Sequence, residues 1–247
     1  MKIILSLDNN YFNDLESYIK SLPNGAMEIL EVINEDIGVN LSSLTTQEKA
    51  RKLKEYIENL KGFEIVTELD TNYNNMGATI IDGILQAGMN YKTVVKPRVI
   101  EFLNKYPAVI TTSDFASLTK KIPISELIKW KKDSAKTKRI SGLISFFLSK
   151  NIETQKDLNK WLLSKDNISE FRKQDGIGDK TADYFKILSG HNNASAIDRH
   201  LFNFLEKAGI INTNYSETQA IISDTAKLLN IDESYLDHSI WKYMSEL

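Results

Sequence analysis

Gly176-Ile177-Gly178-Asp179-Lys180-Thr181-Ala182 is the stretch that most limits how this chain can run. Two glycines one residue apart predict a tight backbone turn, because glycine takes a positive φ that a side chain would resist. The residues that follow predict a helix opening directly from the turn. Free N–H groups and the positive end of the helix dipole gather at such a start and suit an anion. A nucleic-acid phosphate is one such anion, and contacts of this kind hold backbone and carry little sequence information. A bare Gly-x-Gly equally suits an ordinary helix–turn–helix link. The same turn, however, delivers Lys180 to the helix start, and Ala196-Ile197-Asp198-Arg199-His200 brings a carboxylate 18 positions later. A turn, an amine and a carboxylate in this order point to covalent chemistry on nucleic acid.

The rest of the chain reads as mainly α. Its 247 residues suffice for one large domain or two lobes, and 42% hydrophobic content supports a real core. Four prolines and eleven glycines are few for an all-β protein. Long stretches rich in Leu, Ile, Lys, Glu and Ala favour helix. The absence of Cys excludes disulfides, thiolate zinc sites and a cysteine-held iron–sulfur cluster, and it fits a reducing compartment. The apolar run at Met1–Asp8 is too short for a secretion signal, and no run of about 18 apolar residues predicts a membrane span. A cytoplasmic, nucleoid-associated or nuclear protein is expected, not a secreted one. Net charge is −2, but residues 1–75 hold 7 basic and 13 acidic side chains and the remainder 24 and 20. The mildly basic remainder is compatible with phosphate contacts.

Along the chain, residues 2–7 predict a short strand and 11–21 a helix. A stripe of Ala50, Leu53, Ile57 and Leu60 predicts a helix near 46–60. Alternation over 63–69 predicts a short strand, and 71–75 a loop at a domain boundary. That gives an acidic region, 1–75, and a helical core, 76–247, with its hairpin at 170–190. Within the core, helices are expected over the apolar residues 76–88, from Pro97 to Lys105, after caps at Ser113 and Ser125, and over 136–149. Thr154 with Asp157 makes an imperfect capping box, Ser216-x-x-Gln219 a full one, and a last helix runs through Trp241.

At the hairpin the sequence resembles the helix-hairpin-helix (HhH-GPD) DNA glycosylase superfamily, of endonuclease III and 8-oxoguanine DNA glycosylase type. That superfamily carries a Leu-Pro-Gly-Val-Gly-x-Lys-Thr-Ala hairpin, followed some eighteen residues after its lysine by Val-Asp-x-His. Gly176, Ile177, Gly178, Lys180, Thr181 and Ala182 match the first element; Ile197, Asp198 and His200 match the second. The resemblance covers roughly residues 76–247 and implies a two-lobed helical fold without an iron–sulfur cluster. Gln174 and Asp175 depart from the Leu-Pro of the pattern. Asp175 and Asp179 also set two carboxylates beside the expected phosphate site, unless they turn outward or are offset by Arg172 and Lys173. The resemblance implies no cofactor and allows a monovalent cation at the hairpin carbonyls, and the three histidines, His191, His200 and His238, show no metal-ligand spacing.

The implied activity is removal of a damaged, most readily oxidised, base from duplex DNA, followed by strand cleavage at the abasic site. Lys180 is then the nucleophile on sugar C1′, giving a Schiff base and β-elimination. Asp198 stabilises the positive charge that builds on the sugar as the base leaves. A lysine amine is almost wholly protonated at neutral pH, so the nucleophile must first lose a proton. Each residue also has a plainer reading: Lys180 as a phosphate grip, Asp198 as an N-cap, His200 as a structural hydrogen-bonding group. Two further activities therefore stay open, a hydrolytic glycosylase in which water attacks, and a non-catalytic DNA-binding repair protein.

The expected partner is double-stranded DNA containing a damaged base, bound by a monomer. Enzymes acting on a base in a duplex extrude it. By the resemblance, Ile84–Lys92 supplies the wedge, with Gln86 and Asn90 as DNA contacts and Met89 and Tyr91 lining the base pocket. Asp237 and Trp241, on the last helix, border the same pocket. Gly176, Gly178, Thr181 and Arg199 at the hairpin and the second element, with Lys136 and Lys138 from the basic cluster around Trp130, complete the expected DNA contacts. Met89, Tyr91, Trp130 and Trp241 equally suit core filling.

Overall fold

The computed structural model describes residues 44–69 and 72–247. The chain divides into compact units after Thr45, and the second unit is Thr46–Leu247. The division therefore falls ahead of the helix at 46–59 rather than at residue 75. The strand expected at 2–7 and the helix at 11–21 lie outside the described residues.

Among the described residues every regular element is helical. The first helix, α1 (Thr46–Asn59), buries the expected stripe of Ala50, Leu53 and Ile57. The strand expected at 63–69 does not form: the segment is irregular. Its alternation is used differently, since Phe63 and Ile65 pack against helices and the Val66 N–H is bonded to the Ser239 hydroxyl at 2.9 Å instead of to a neighbouring strand.

Next comes α2 (Met76–Leu85), capped by Asn75, whose side chain accepts from the Ala78 N–H. All ten of its residues are buried, which explains a sequence that is apolar on every side. Two glycines let neighbours come close: a Cβ on Gly77 would stand 2.6 Å from the Phe102 ring, and one on Gly83 2.2 Å from the Phe185 ring.

A π-helical turn, Tyr91–Val95, runs into α3 (Lys96–Lys105), with Pro97 in its first turn. The cap of α4 (Thr112–Lys121) is Thr111 rather than Ser113, in a reciprocal box with Asp114. Ser113 instead bonds Glu153 through its N–H and its hydroxyl. The short α5 (Ile124–Leu127) follows Pro123 with no side-chain cap, so Ser125 does not serve there. Then follow α6 (Ala135–Ser149), α7 (Gln155–Trp161) and α8 (Lys165–Phe171). The Thr154–Asp157 box before α7 is complete in both directions.

Beyond the hairpin lie α9 (Asp179–Leu188), α10 (Arg199–Lys207), α11 (Tyr215–Leu229) and α12 (Glu233–Met244). The cap of α11 is Asn214, accepting from the Glu217 N–H, so Ser216 and Gln219 form no capping box. Gln219 is drawn away to Asp183 and the Ser195 carbonyl, at 3.1 and 3.0 Å.

Among the described residues, the two larger of three apolar clusters form the main cores of this unit. One joins α2, α6 and α9 with Phe171 at the end of α8. The other joins α1, α10, α11 and α12. Ala182 and Phe185 of α9 belong to the first core, whereas Ile197 and Leu201, at the start of α10, belong to the second. Lys180 and Asp198 thus come from helices rooted in different cores. No helix of the described residues is long and apolar enough to cross a membrane.

Candidate functional site

The hairpin is α8, a turn over 172–178, and α9. Gly176 has φ +79°, and a Cβ there would meet the Arg139 side chain at 2.5 Å. Gly178 differs from the expectation. It is extended, at φ −89° and ψ −174°, and forms the N-cap of α9 with no side chain to bond the helix amides. A Cβ on Gly178 would meet nothing within 4 Å. Its lack of a side chain therefore leaves open space in front of unbonded helix N–H groups. Ile177 between the glycines is buried and anchors the turn.

The two carboxylates beside the expected phosphate site each have a basic neighbour. Asp179 lies 3.0 Å from Arg172, and Asp175 lies 3.3 Å from Arg139. Arg172 was expected in this role; Arg139, contributed by α6, was not.

Lys180 Nζ stands 3.5 Å from Asp198 Oδ2, with the two side chains 35% and 16% exposed. Asp198 is the N-cap of α10, and its Oδ1 accepts from the N–H groups of His200 and Leu201 at 2.8 and 3.3 Å. One carboxylate oxygen holds the helix start while the other faces the amine.

The remaining expected contacts divide. Arg199 and Lys138 are exposed. Thr181 is buried and does not reach the surface of the hairpin. Lys136 is half-buried and committed to the end of α2: its ammonium donates to the carbonyls of Ile84 and Ala87 at 2.6 and 2.7 Å. Four unbonded carbonyls end any helix, so a lysine of the basic cluster is used as a C-terminal cap. Burial, then the charges of Arg139 and Lys180, pushes its ammonium down to about 8.

Of the wedge candidates, Met89 is 39% exposed and Gln86 only 8%. Gln86 turns inward, with its amide near the Gly83 carbonyl at 3.4 Å. Asn90 is exposed and caps the π-helical turn through the Thr93 N–H. Tyr91 packs edge-on against Trp241 at 5.5 Å, and His238 stacks on the other partner of that pair, Trp241, at the same centroid distance. Asp237 is turned inward, 9% exposed, and accepts from the Ala196 N–H at 2.6 Å. Burial first, then the charges of Asp198 and Glu233, pushes its carboxyl up to about 8, against the lowering effects of the Ala196 N–H and Lys180.

A buried carboxylate behind this wall escaped the sequence reading. Asp82 of α2 accepts from the hydroxyls of Tyr73, Tyr184 and Tyr91 at 2.7, 3.2 and 3.4 Å. Tyr184 lies one turn after Lys180 on α9, so Asp82 ties that helix to Tyr91. The signal in the sequence was a lone Asp inside an otherwise apolar helix, since a buried polar group implies bonded partners. Burial raises its carboxyl from the usual range to about 6, with the three hydroxyls opposing. A raised carboxyl makes the fold most stable below its unfolded value near pH 4, and that stability drains away as pH rises to about 6. Asp82→Asn is therefore expected to gain relative to the wild type by up to about 3 kcal/mol between pH 4 and 6. Urea unfolding of both proteins across that range measures it; a difference that does not change with pH would contradict the assignment.

Among the described residues no three His, Cys, Asp or Glu side chains form a group able to hold a metal ion.

A family model described as "Domain of unknown function (DUF8548)" matches residues 51–245. No curated protein matches the chain. Two solved structures are similar. The 8-oxoguanine DNA glycosylase of Thermotoga maritima shares 13% identity over 87% of this chain and 94% of its own, with a TM-score of 0.45. That of Methanocaldococcus jannaschii shares 16% identity over 97% and 99%, with a TM-score of 0.45. At these values neither likeness bears on activity.

Proposed function

The chain belongs to the DUF8548 family, whose description assigns no chemistry, and we propose that this member is a DNA repair glycosylase with lyase activity at abasic sites. The observation that carries the reading is the pairing of Lys180 with Asp198 at 3.5 Å beside an uncapped, unobstructed helix start at Gly178. The hairpin amides take a phosphate of the DNA backbone. The damaged nucleotide is extruded toward Lys180.

Lys180 first gives its ammonium proton to water, and the freed amine attacks C1′. The bond from C1′ to the base nitrogen breaks, and the base leaves with the electron pair and gains a proton. Asp198 Oδ2 stabilises the positive charge on the sugar as that bond stretches. The lysine nitrogen gives up one proton, the C1′–O4′ bond breaks as O4′ takes up a proton, and the nitrogen lone pair closes the C1′=N bond of a Schiff base. Loss of a proton from C2′ then expels the 3′ phosphate, and water hydrolyses the imine to free the lysine. Met89, Asn90 and Lys92 are the exposed side chains on the wedge segment, and Tyr91 with Trp241 forms an aromatic wall for the base. A monovalent cation at the hairpin carbonyls belongs to the same proposal.

Borohydride reduction in the presence of a duplex with an abasic or oxidised base tests it. A covalent protein–DNA complex is the expected product. Base release without any trapped complex would replace attack by Lys180 with attack by water. Salt-sensitive DNA binding with neither activity would leave a non-catalytic DNA-binding protein.

A further inference from the structure

Asp198 sits at the end of an arm, residues 192–198, that has no regular secondary structure of its own. An irregular segment cannot fix a carboxylate by itself, because its backbone bonds must be met from outside. Here α11 and α12 meet them. The Ser234 N–H donates to the Asn192 carbonyl at 3.0 Å. The Ser195 hydroxyl donates to Glu233 at 2.6 Å, and the Gln219 amide donates to the Ser195 carbonyl at 3.0 Å. Asp237, one turn after Glu233 on α12, takes the Ala196 N–H at 2.6 Å. Of these bonds three are held by backbone atoms of the arm; the last is the shortest of the three, and it lies two residues from Asp198.

Resting on the glycosylase reading above, we propose that Asp237 is a positioning residue for Asp198: its inward-turned carboxyl grips the Ala196 amide and so holds the arm that sets Asp198 against Lys180. This differs from a place in the base pocket, where a polar side chain would have to face the extruded nucleotide. Asp237 faces backbone instead and is buried. The groups around it are Lys180 on α9, Asp198 at the start of α10 and Glu233 on its own helix. None of these three donates a hydrogen bond in place of Ala196. The geometry matters because a reacting group displaced by about 1 Å can lose on the order of 10²-fold in rate.

Single-turnover base release and borohydride trapping should be measured for Asp237→Ala and Asp237→Asn, together with the amide proton resonance of Ala196. A short bond of this kind moves that resonance downfield. Asp237→Ala is expected to lose about 10²-fold in the chemical step, with duplex affinity changed less than about threefold and the Ala196 shift abolished. Asp237→Asn keeps an acceptor oxygen and is expected to restore most of the rate and the shift. Should Asp237→Ala fail to fold, Asp237→Leu fills the buried space without an acceptor and takes its place. An unchanged rate in an active protein that has lost the Ala196 shift overturns the proposal. So does an Asp237→Asn protein that keeps the shift yet changes its lesion preference, which would return Asp237 to the base pocket. A wild type that shows the shift but neither releases a base nor traps would sink the glycosylase reading and leave the grip on Ala196 standing.

Discussion

Asp198→Asn is expected to slow base release about 10²- to 10³-fold, the loss typical of removing one preorganised group that stabilises transition-state charge, while the protein stays folded. The two oxygens of Asp198 do separate jobs. Oδ1 takes the His200 and Leu201 amides, and Oδ2 faces Lys180. Asparagine is as good an N-cap as aspartate, so its carbonyl oxygen keeps the helix start. The loss of negative charge at the first turn of α10 costs about 0.3–1 kcal/mol. What disappears is the charge that faces the amine and, in the proposed reaction, the sugar. The companion change, Lys180→Gln, removes the proposed nucleophile and is expected to abolish borohydride trapping altogether. Single-turnover release from a single-lesion duplex, with thermal melting as the control on folding, reads both. An Asp198→Asn rate within threefold of wild type would show that Asp198 is a cap and nothing more.

The hairpin and its two polar groups were legible because each depends on chemistry local in sequence. Gly176 needs a positive φ, Asp198 caps the helix that starts at the next residue, and the spacing from Lys180 follows from one helix and one arm. Helices with a clean stripe, such as α1, were legible for the same reason. The misreadings came where a distant partner outbid a local pattern. Ser216 and Gln219 have capping-box spacing, but Asn214 caps α11 and Gln219 bonds Asp183 and Ser195. The alternation at 63–69 lacks a strand to pair with, and its apolar residues pack on helices instead. Lys136 looked like one more cation in a basic run, yet the end of α2 claims it. Asp82 gathers hydroxyls from residues 73, 91 and 184, and no window of sequence contains all three. Asp237 lies on the last helix as the sequence indicates, but the amide that it grips lies 41 residues earlier, beyond the reach of any local pattern.

Phe171→Ala is expected to cost about 3–5 kcal/mol of stability, the usual range for deleting a buried aromatic ring. Phe171 is the last residue of α8 and is fully buried. Its ring meets those of Phe185, Phe147, Phe146 and Trp161 at centroid distances of 5.3, 5.7, 5.9 and 6.2 Å. Four aromatic neighbours cannot all collapse into the space left behind, so a cavity remains and its surface loses dispersion contacts. The loss also reaches the site. The Gln174 N–H bonds the Phe171 carbonyl at 3.0 Å, and the Ile177 N–H bonds the Gln174 carbonyl at 3.1 Å. The turn that presents Gly178 and Lys180 is therefore built in series from this residue. Phe185 packs on Phe171 from α9, the helix that carries Lys180. A Tm decrease on the order of 10 °C follows for a unit of this size. Leu163→Ala is the matched control, because that side chain is 70% exposed and its removal should change stability by less than about 0.5 kcal/mol. If Phe171→Ala melted within a degree or two of wild type, the aromatic cluster would not be what holds the hairpin in place.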